Sequence, residues 1–173
     1  MMTKYIAFLR GINVGNIRIK MTDLQSAFEK MGFTEVKTYL QTGNVVFQSD
    51  RTLVEIKPIL EKGLSETFNY DAYVLLYPHN SLENIIVQYP FARLETHHAY
   101  VIFIENNPIL EELNALSHEV SEEANSIKLG HEVLYWQVKK GESTDIPFAK
   151  ILAKAKYKST TTVRNIQTLE KMV

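Results

Sequence analysis

Cysteine is absent from this chain of 173 residues. Disulfide scaffolds, thiolate metal sites and cysteine nucleophiles are thereby excluded, and a reducing compartment is the natural setting. Long apolar runs are missing as well. The N-terminal MMTKYIAFLRGINVG is too short in apolar residues for a secretory leader and has no small-residue cleavage pattern, and no later stretch reaches the length of a membrane span. These absences predict a cytoplasmic protein with no membrane association. An excess of charge of either sign is also lacking: the net charge is −1, and 45% hydrophobic with 23% charged residues is ordinary globular composition, enough for one large domain or two small ones.

What charge there is lies unevenly. Residues 1–50 carry a net +2, residues 51–127 a net −8 and residues 128–173 a net +5. If the fold joined the two ends, their basic segments would form a surface suited to a phosphate-bearing partner rather than a general nucleic-acid coat. The simpler reading of Lys150, Lys154, Lys156 and Lys158 is the solvated face of a helix.

The periodicity predicts a strand over Lys4 to Leu9 and a helix over Met21 to Met31, with Thr22 and Gln25 as a capping box, Leu24, Ala27, Phe28 and Met31 inward, and Gly32 as its stop. Val36 to Gln41 and Val45 to Gln48 pair across a Thr-Gly-Asn turn. Thr52 to Phe68 is a second helix whose first turn is disturbed by Pro58, and Ala72 to Tyr77 a closing strand. Ser81 to Gln88 bridges to a second half of the same order. That half has a strand at Ala99 to Ile104, a helix from Pro108 capped by Asn107, a hairpin of Ile127 to Leu129 with Val133 to Val138 across Gly130-His131, a helix from Ile146 to Tyr157, a strand at Thr160 to Val163 and a short helix after Arg164. The expected fold is α+β: two tandem ferredoxin-like (βαββαβ) sandwiches with antiparallel sheets, divided as residues 1–79 and 80–173.

Two motifs punctuate the first fifty residues, LRGINVGN (Leu9 to Asn16, followed by Lys20-Met21) and TYLQTGNVVF (Thr38 to Phe47), and TTTVRNIQTLEKM (Thr160 to Met172) closes the chain. In these three blocks the chain resembles the domain of unknown function 1697 family. The resemblance implies a tandem ferredoxin-like fold in bacterial cytosolic proteins with no assigned activity. The chain departs from the family pattern at Asn16, usually glycine, at Gly141 to Lys150, where a glycine-rich Ser-Lys-Leu segment is usual, and at Ile166, usually aromatic.

A loop bearing Arg10, Gly11, Asn13 and Gly15 can turn several backbone N–H groups toward one anion while the guanidinium adds a bidentate hold. The alternative is a turn shaped by Asn13, with Arg10 paired to a carboxylate. The glycine spacing is neither a Walker nor a dinucleotide fingerprint. Arg164 and Asn165 are expected to open the last helix, where free N–H groups and a cation favour an anion; Thr160 to Thr162 are equally strand and cap residues. Asn44, with Arg10 and the loop from Gly11 to Gly15, invites comparison with small acylphosphatases, which share the split βαββαβ order, but an asparagine tolerant of positive φ in a hairpin is the simpler reading.

Histidines 79, 97, 98, 118 and 131 lack metal-ligand spacing and read as surface loop residues, with His97 and His98 on opposite faces if extended. Glu111-Glu112 and Glu122-Glu123 read as solvated acidic helix faces, and no serine sits in a nucleophile elbow. Tyr5, Phe8 and Phe47 would stack bases only from a helix-free sheet face. With no RNP consensus, nucleic-acid binding is the weaker reading, and Trp136 is expected in the core or at an inter-domain contact.

The expected function is a non-catalytic binding or regulatory module for a small anionic or phosphate-bearing ligand. Its ligand-binding residues are Arg10, Gly11, Asn13, Gly15, Lys20, Thr42, Gly43, Asn44, Arg164 and Asn165, meeting at the inter-domain face, without metal or cofactor. The competing classes are an acylphosphatase-type hydrolase, an RNA-binding protein and a protein-interaction module.

Overall fold

Five consecutive residues of the first strand, Tyr5 to Leu9, are buried, and this YIAFL run organises the N-terminal sheet because only a strand with neighbours on both edges and cover on both faces reads as continuously apolar. A computed structural model describes residues 1–12, 16–119, 125–144 and 146–173. The chain divides into two compact units, Met1–Leu82 with Lys171–Val173, and Glu83–Glu170. The architecture is α+β with two four-stranded antiparallel sheets.

The first unit runs β1 (Thr3–Arg10), α1 (Met21–Lys30), β2 (Thr34–Tyr39), β3 (Asn44–Ser49), α2 (Leu53–Phe68) and β4 (Tyr73–Pro78), with strand order β2-β3-β1-β4. Tyr5, Ala7 and Leu9 of β1 and Val45 and Phe47 of β3 share one core with Leu24, Ala27 and Phe28 of α1 and Ile56, Leu60 and Leu64 of α2. Phe28, Phe33 and Phe47 pack at centroid distances of 4.9 to 5.9 Å, each worth about 1.5–3 kcal/mol in burial. Ile6 and Phe8, which alternate with that set, are also fully buried, and Phe8 meets Tyr77 edge to face. Tyr5 and Phe47 thus lie in the helix-covered core and Phe8 is not exposed, so none of the three offers bases a stacking platform.

The helix ends differ from expectation. Thr22 lies inside the first turn of α1, so it cannot cap. Lys20 is the N-cap residue and makes no side-chain cap bond, while Gln25 turns to Glu29. The true capping box is at α2, where Thr52 Oγ1 accepts from the Glu55 N–H and the Glu55 carboxylate accepts from the Thr52 N–H. Pro58 sits inside an unbroken α2. Its missing N–H leaves the Val54 carbonyl without that partner, and Val54 is 83% exposed, where water can serve.

A seven-residue helix α3 (Ser81–Val87) crosses the boundary between units. The second unit then runs β5 (His97–Ile104), α4 (Asn107–Glu119), β6 (Asn125–Leu129), β7 (Val133–Lys139), α5 (Pro147–Leu152), α6 (Ala155–Lys158), β8 (Thr161–Asn165) and α7 (Ile166–Glu170), in strand order β6-β7-β5-β8. Trp136 is a core residue here, edge to face with Phe148.

Two further expectations are corrected. Asn106, not Asn107, caps α4, its Oδ1 accepting from the Ile109 N–H. The single helix expected from Ile146 to Tyr157 is broken, because Lys154 is extended at ψ 146°. Phe148 and Leu152 share a helix face but Tyr157 is one residue out of register with them, and the break lets all three enter the core. Glu112 on the solvated face of α4 also accepts from Lys156 Nζ at 2.6 Å and the Tyr157 hydroxyl at 2.8 Å, which holds its carboxyl below the usual range and links α6 to α4. Glu122 and Glu123 lie outside the described residues.

Gly43, at φ +86°, is buried where a Cβ would stand 2.8 Å from both Ile12 Cδ1 and Leu9 Cβ. Gly43→Ala should therefore lower stability by about 2–4 kcal/mol through backbone strain and overpacking together. A urea melt checks this: the midpoint falls with the slope unchanged, and an unmoved midpoint contradicts the clash.

Candidate functional site

The end of the first sheet brings two of the sequence motifs together. β1 pairs with β3 as far as Phe8 opposite Asn44. Beyond that pair the Leu9 N–H donates to the Gly43 carbonyl at 2.8 Å, and Ile12 packs onto Gly43. Arg10, Gly11 and Ile12 thereby lie against the turn of Thr42, Gly43 and Asn44.

Asn44 does not supply the positive φ expected of it. Gly43 and Leu40 carry the left-handed backbone, while Asn44 is the first residue of β3. Its side chain is fully buried, and its Nδ2 donates to the Tyr39 carbonyl at 2.8 Å and to Thr42 Oγ1 at 2.7 Å. Asn44 is thus the clamp of the turn. Thr42 is exposed, and Lys20 is exposed at the start of α1. Asn13 and Gly15 lie outside the described residues.

Arg10 is half-buried at the end of β1, opposite Tyr73 of β4, and burial lowers its guanidinium pKa from the usual value. Keeping that cation partly out of water costs energy, which nearby acceptors or an anion repay. Two residues not expected at this corner join it. Tyr70, which follows the left-handed Asn69 at the end of α2, packs its ring 4.0 Å from the position a Gly11 Cβ would take. Its hydroxyl is buried with no hydrogen-bond partner among the described residues, and burial pushes its pKa up to about 12. Leu40 holds φ +57° while 47% exposed. A leucine in that region costs about 1–2 kcal/mol, and such outliers gather where a surface is shaped for binding. The only sequence signal for either residue is position, Leu40 just ahead of the Thr-Gly-Asn turn and Tyr70 just past a helix end.

Arg164 and Asn165 belong to the second unit, and they do not open a helix with free N–H groups. Arg164 lies within β8 opposite Val101 and is 8% exposed, its Nη1 donating to Thr162 Oγ1 at 2.5 Å and to the Val163 carbonyl at 3.0 Å. Asn165 Oδ1 accepts the Gln167 N–H at 2.9 Å, so the start of α7 is capped by the protein's own amide. Three of the histidines depart from a loop reading, His118 lying in α4, whereas His79 and His131 keep to turn and bend segments. His97 and His98 are strand residues of β5, and the His79 imidazole lies 2.7 Å from the Met172 carbonyl oxygen.

The family model for "Protein of unknown function (DUF1697)" matches residues 2–135, which include both N-terminal motifs and the whole first sheet. The chain belongs to this family. The C-terminal block from Thr160 lies beyond the matched residues. This DUF1697 member is similar in structure to a conserved bacterial protein, SP0830, from Streptococcus pneumoniae, with a TM-score of 0.80 and 21% identity over 99% of this chain and 97% of that one. An unknown protein from Galdieria sulphuraria aligns over 95% of this chain and 99% of that one at 8% identity, with a TM-score of 0.31. No curated protein matches the chain. Among the described residues, no helix is long and apolar enough to cross a membrane, and no group of three or more His, Asp or Glu side chains could hold a metal ion.

Tyr70→Phe removes a buried hydroxyl that lacks a partner and should raise stability by about 1 kcal/mol. The sign with pH follows from the raised pKa: stability linked to Tyr70 is complete below pH 10, the ordinary value, and is lost as the pH climbs toward about 12. Tyr157 is raised to about 12 as well, so the readout is the difference between variant and parent in alkaline denaturation melts. Tyr70→Phe should lose less stability across that window, and parallel losses would contradict the burial of this hydroxyl.

Proposed function

We propose that this DUF1697 member is a non-catalytic binding or regulatory module of the cytoplasm, built from two ferredoxin-like sandwiches, that recognises a small anionic or phosphate-bearing ligand. The ligand would be held at the first unit's corner by Arg10, Gly11 and the turn from Thr42 to Asn44, with Asn13, Gly15 and Lys20 from the adjoining loop. The observation that carries this reading is the half-buried Arg10 guanidinium, which sits beside a turn clamped by Asn44 and ends a rigid central strand. Arg10 also engages the protein itself, and a guanidinium with five donors can serve protein and anion together. Tyr70 adds a neutral phenol, a hydrogen-bond donor suited to an anion and kept protonated by its raised pKa. Arg164 and Asn165, proposed as ligand residues on the same sequence grounds, would act within the second unit. A phosphatase-like reading needs Asn44 to orient water, whereas its amide nitrogen already donates twice within the turn.

A thermal-shift screen of nucleotides and phosphorylated metabolites tests the proposal. A ligand at one hundred times its Kd should stabilise the protein by about 2.7 kcal/mol, several degrees in Tm. Arg10→Ala should abolish that shift. No stabilisation by any anion, or one untouched by Arg10→Ala, overturns the reading.

A further inference from the structure

The second unit holds a half-open cleft of about 350 Å³ whose polar lining comprises Arg93, Glu95, His97, His98, Lys140, Asn165 and Gln167. It arises from a mismatch in strand length. β8 pairs with β5 only from Tyr100 to Ile104, whereas β5 begins at His97 and β7 follows it to that end, His97 lying opposite Lys139. His97, His98 and Ala99 therefore run past the end of β8, and the chain turns into α7 after Asn165. The preceding segment is fixed across this opening by two backbone bonds, His97 N–H to Leu94 C=O at 3.1 Å and Lys140 N–H to Thr96 C=O at 3.0 Å.

Four of the six donors are held by contacts within the protein. The His98 ring stacks on Tyr100 with centroids 5.1 Å apart and planes at 24°, and His97 Nδ1 lies 2.8 Å from Thr96 Oγ1, which leaves Nε2 as the second nitrogen of that ring. Asn165 spends its oxygen on the Gln167 N–H, so its amide offers a donor. Arg93 is steadied by one bond from Nη1 to Glu170 at 2.6 Å. Arg93 and Lys140 are the permanent cations of the lining and Glu95 its carboxylate, with Glu170 pairing Arg93 from beside the cleft, while Leu94 and Ala99 supply the apolar wall.

We infer that this cleft binds a small phosphate-bearing molecule. Six donor-bearing side chains line it; with one Arg93 N–H given to Glu170 and Glu95 offering only two oxygens, the donors still outnumber the carboxylate acceptors and match a phosphate with three acceptor oxygens and near-dianionic charge. The Arg93 fork and the Lys140 point charge are the two usual means of holding it. Glu95 offers an acceptor to a hydroxyl or amino group elsewhere on the ligand, which selects a phosphomonoester over a bare polyanion. The volume is at the small end for a metabolite pocket. All of these residues lie in the second unit, so the inference does not depend on the Arg10 corner.

Full-length protein titrated with inorganic phosphate, and separately with acetate, while the His97 and His98 imidazole signals are followed by NMR, tests it. Phosphate should shift both rings saturably and acetate should not. Lys140→Gln, at an exposed position, should weaken phosphate binding about tenfold, or about 1.4 kcal/mol, and Arg10→Ala should leave it unchanged. Unmoved imidazole signals, equal affinity for acetate, or undiminished binding by the Lys140→Gln protein overturns the inference. Binding lost in Arg10→Ala but kept in Lys140→Gln favours the first-unit corner and sinks the cleft.

Discussion

One backbone hydrogen bond, from the Leu9 N–H to the Gly43 carbonyl at 2.8 Å, decides what the first unit can present at the end of its sheet. Without it the loop leaving β1 would part from the β2–β3 turn where the strand register ends at Phe8 and Asn44. With it, Gly43 is pressed beneath Ile12, a position only glycine fills, and Asn44 is drawn inside to satisfy the turn. A buried bond of this kind is worth about 1 kcal/mol net, yet leaving its partners unmatched costs about 1–3 kcal/mol. The motif residues are therefore committed first to geometry. Arg10 stands at the margin of that geometry, half-buried at the end of β1.

The two units repeat one element order and one strand order without visible sequence likeness, because the constraint is burial rather than identity. In each, the first strand is central and its apolar run is covered on both faces, as in Tyr5 to Leu9 and Val101 to Ile104. The edges are treated differently. β2 carries a register shift between Thr34 and Lys37, a positive φ at Glu35, and Lys37 over the Tyr39 ring at 5.1 Å. A bulge and an exposed lysine are what keep an edge strand from pairing with a foreign one.

The central strands, the hairpins and the helix faces were legible in the sequence because alternation and 3.6-residue spacing are local signals. Legibility failed where a tertiary contact outbid a local pattern. Thr22 and Gln25 spell a capping box that is never made, since the backbone enters α1 at Lys20. The break after Leu152 places Tyr157 in one core with Phe148 and Leu152, a tertiary contact that no local pattern announces. Arg164 looked like the start of a helix, but its pairing with Val101 extends β8 by two residues and buries it. At the candidate site the glycines and Asn44 were visible, although Asn44 was assigned the backbone conformation that Gly43 and Leu40 carry. Tyr70 was invisible because nothing local tells a helix-end tyrosine that its hydroxyl will be enclosed.

Charge shows the same division between composition and topology. The C-terminal third is the basic part of the chain by count, yet its four lysines from Lys150 to Lys158 are exposed, and it lends the cleft only Lys140 and two side-chain amides. Arg93, His97 and His98 come from the acidic middle segment. Arg93 and Lys140 meet because β5 outruns β8, so a difference in strand length, not a basic run of sequence, brings them to one cleft. Potential depends on which charges share a low-dielectric wall, and a segment tally averages over that distance. The same holds for the Arg10 corner, where water screens a half-buried guanidinium less than it screens a solvated lysine.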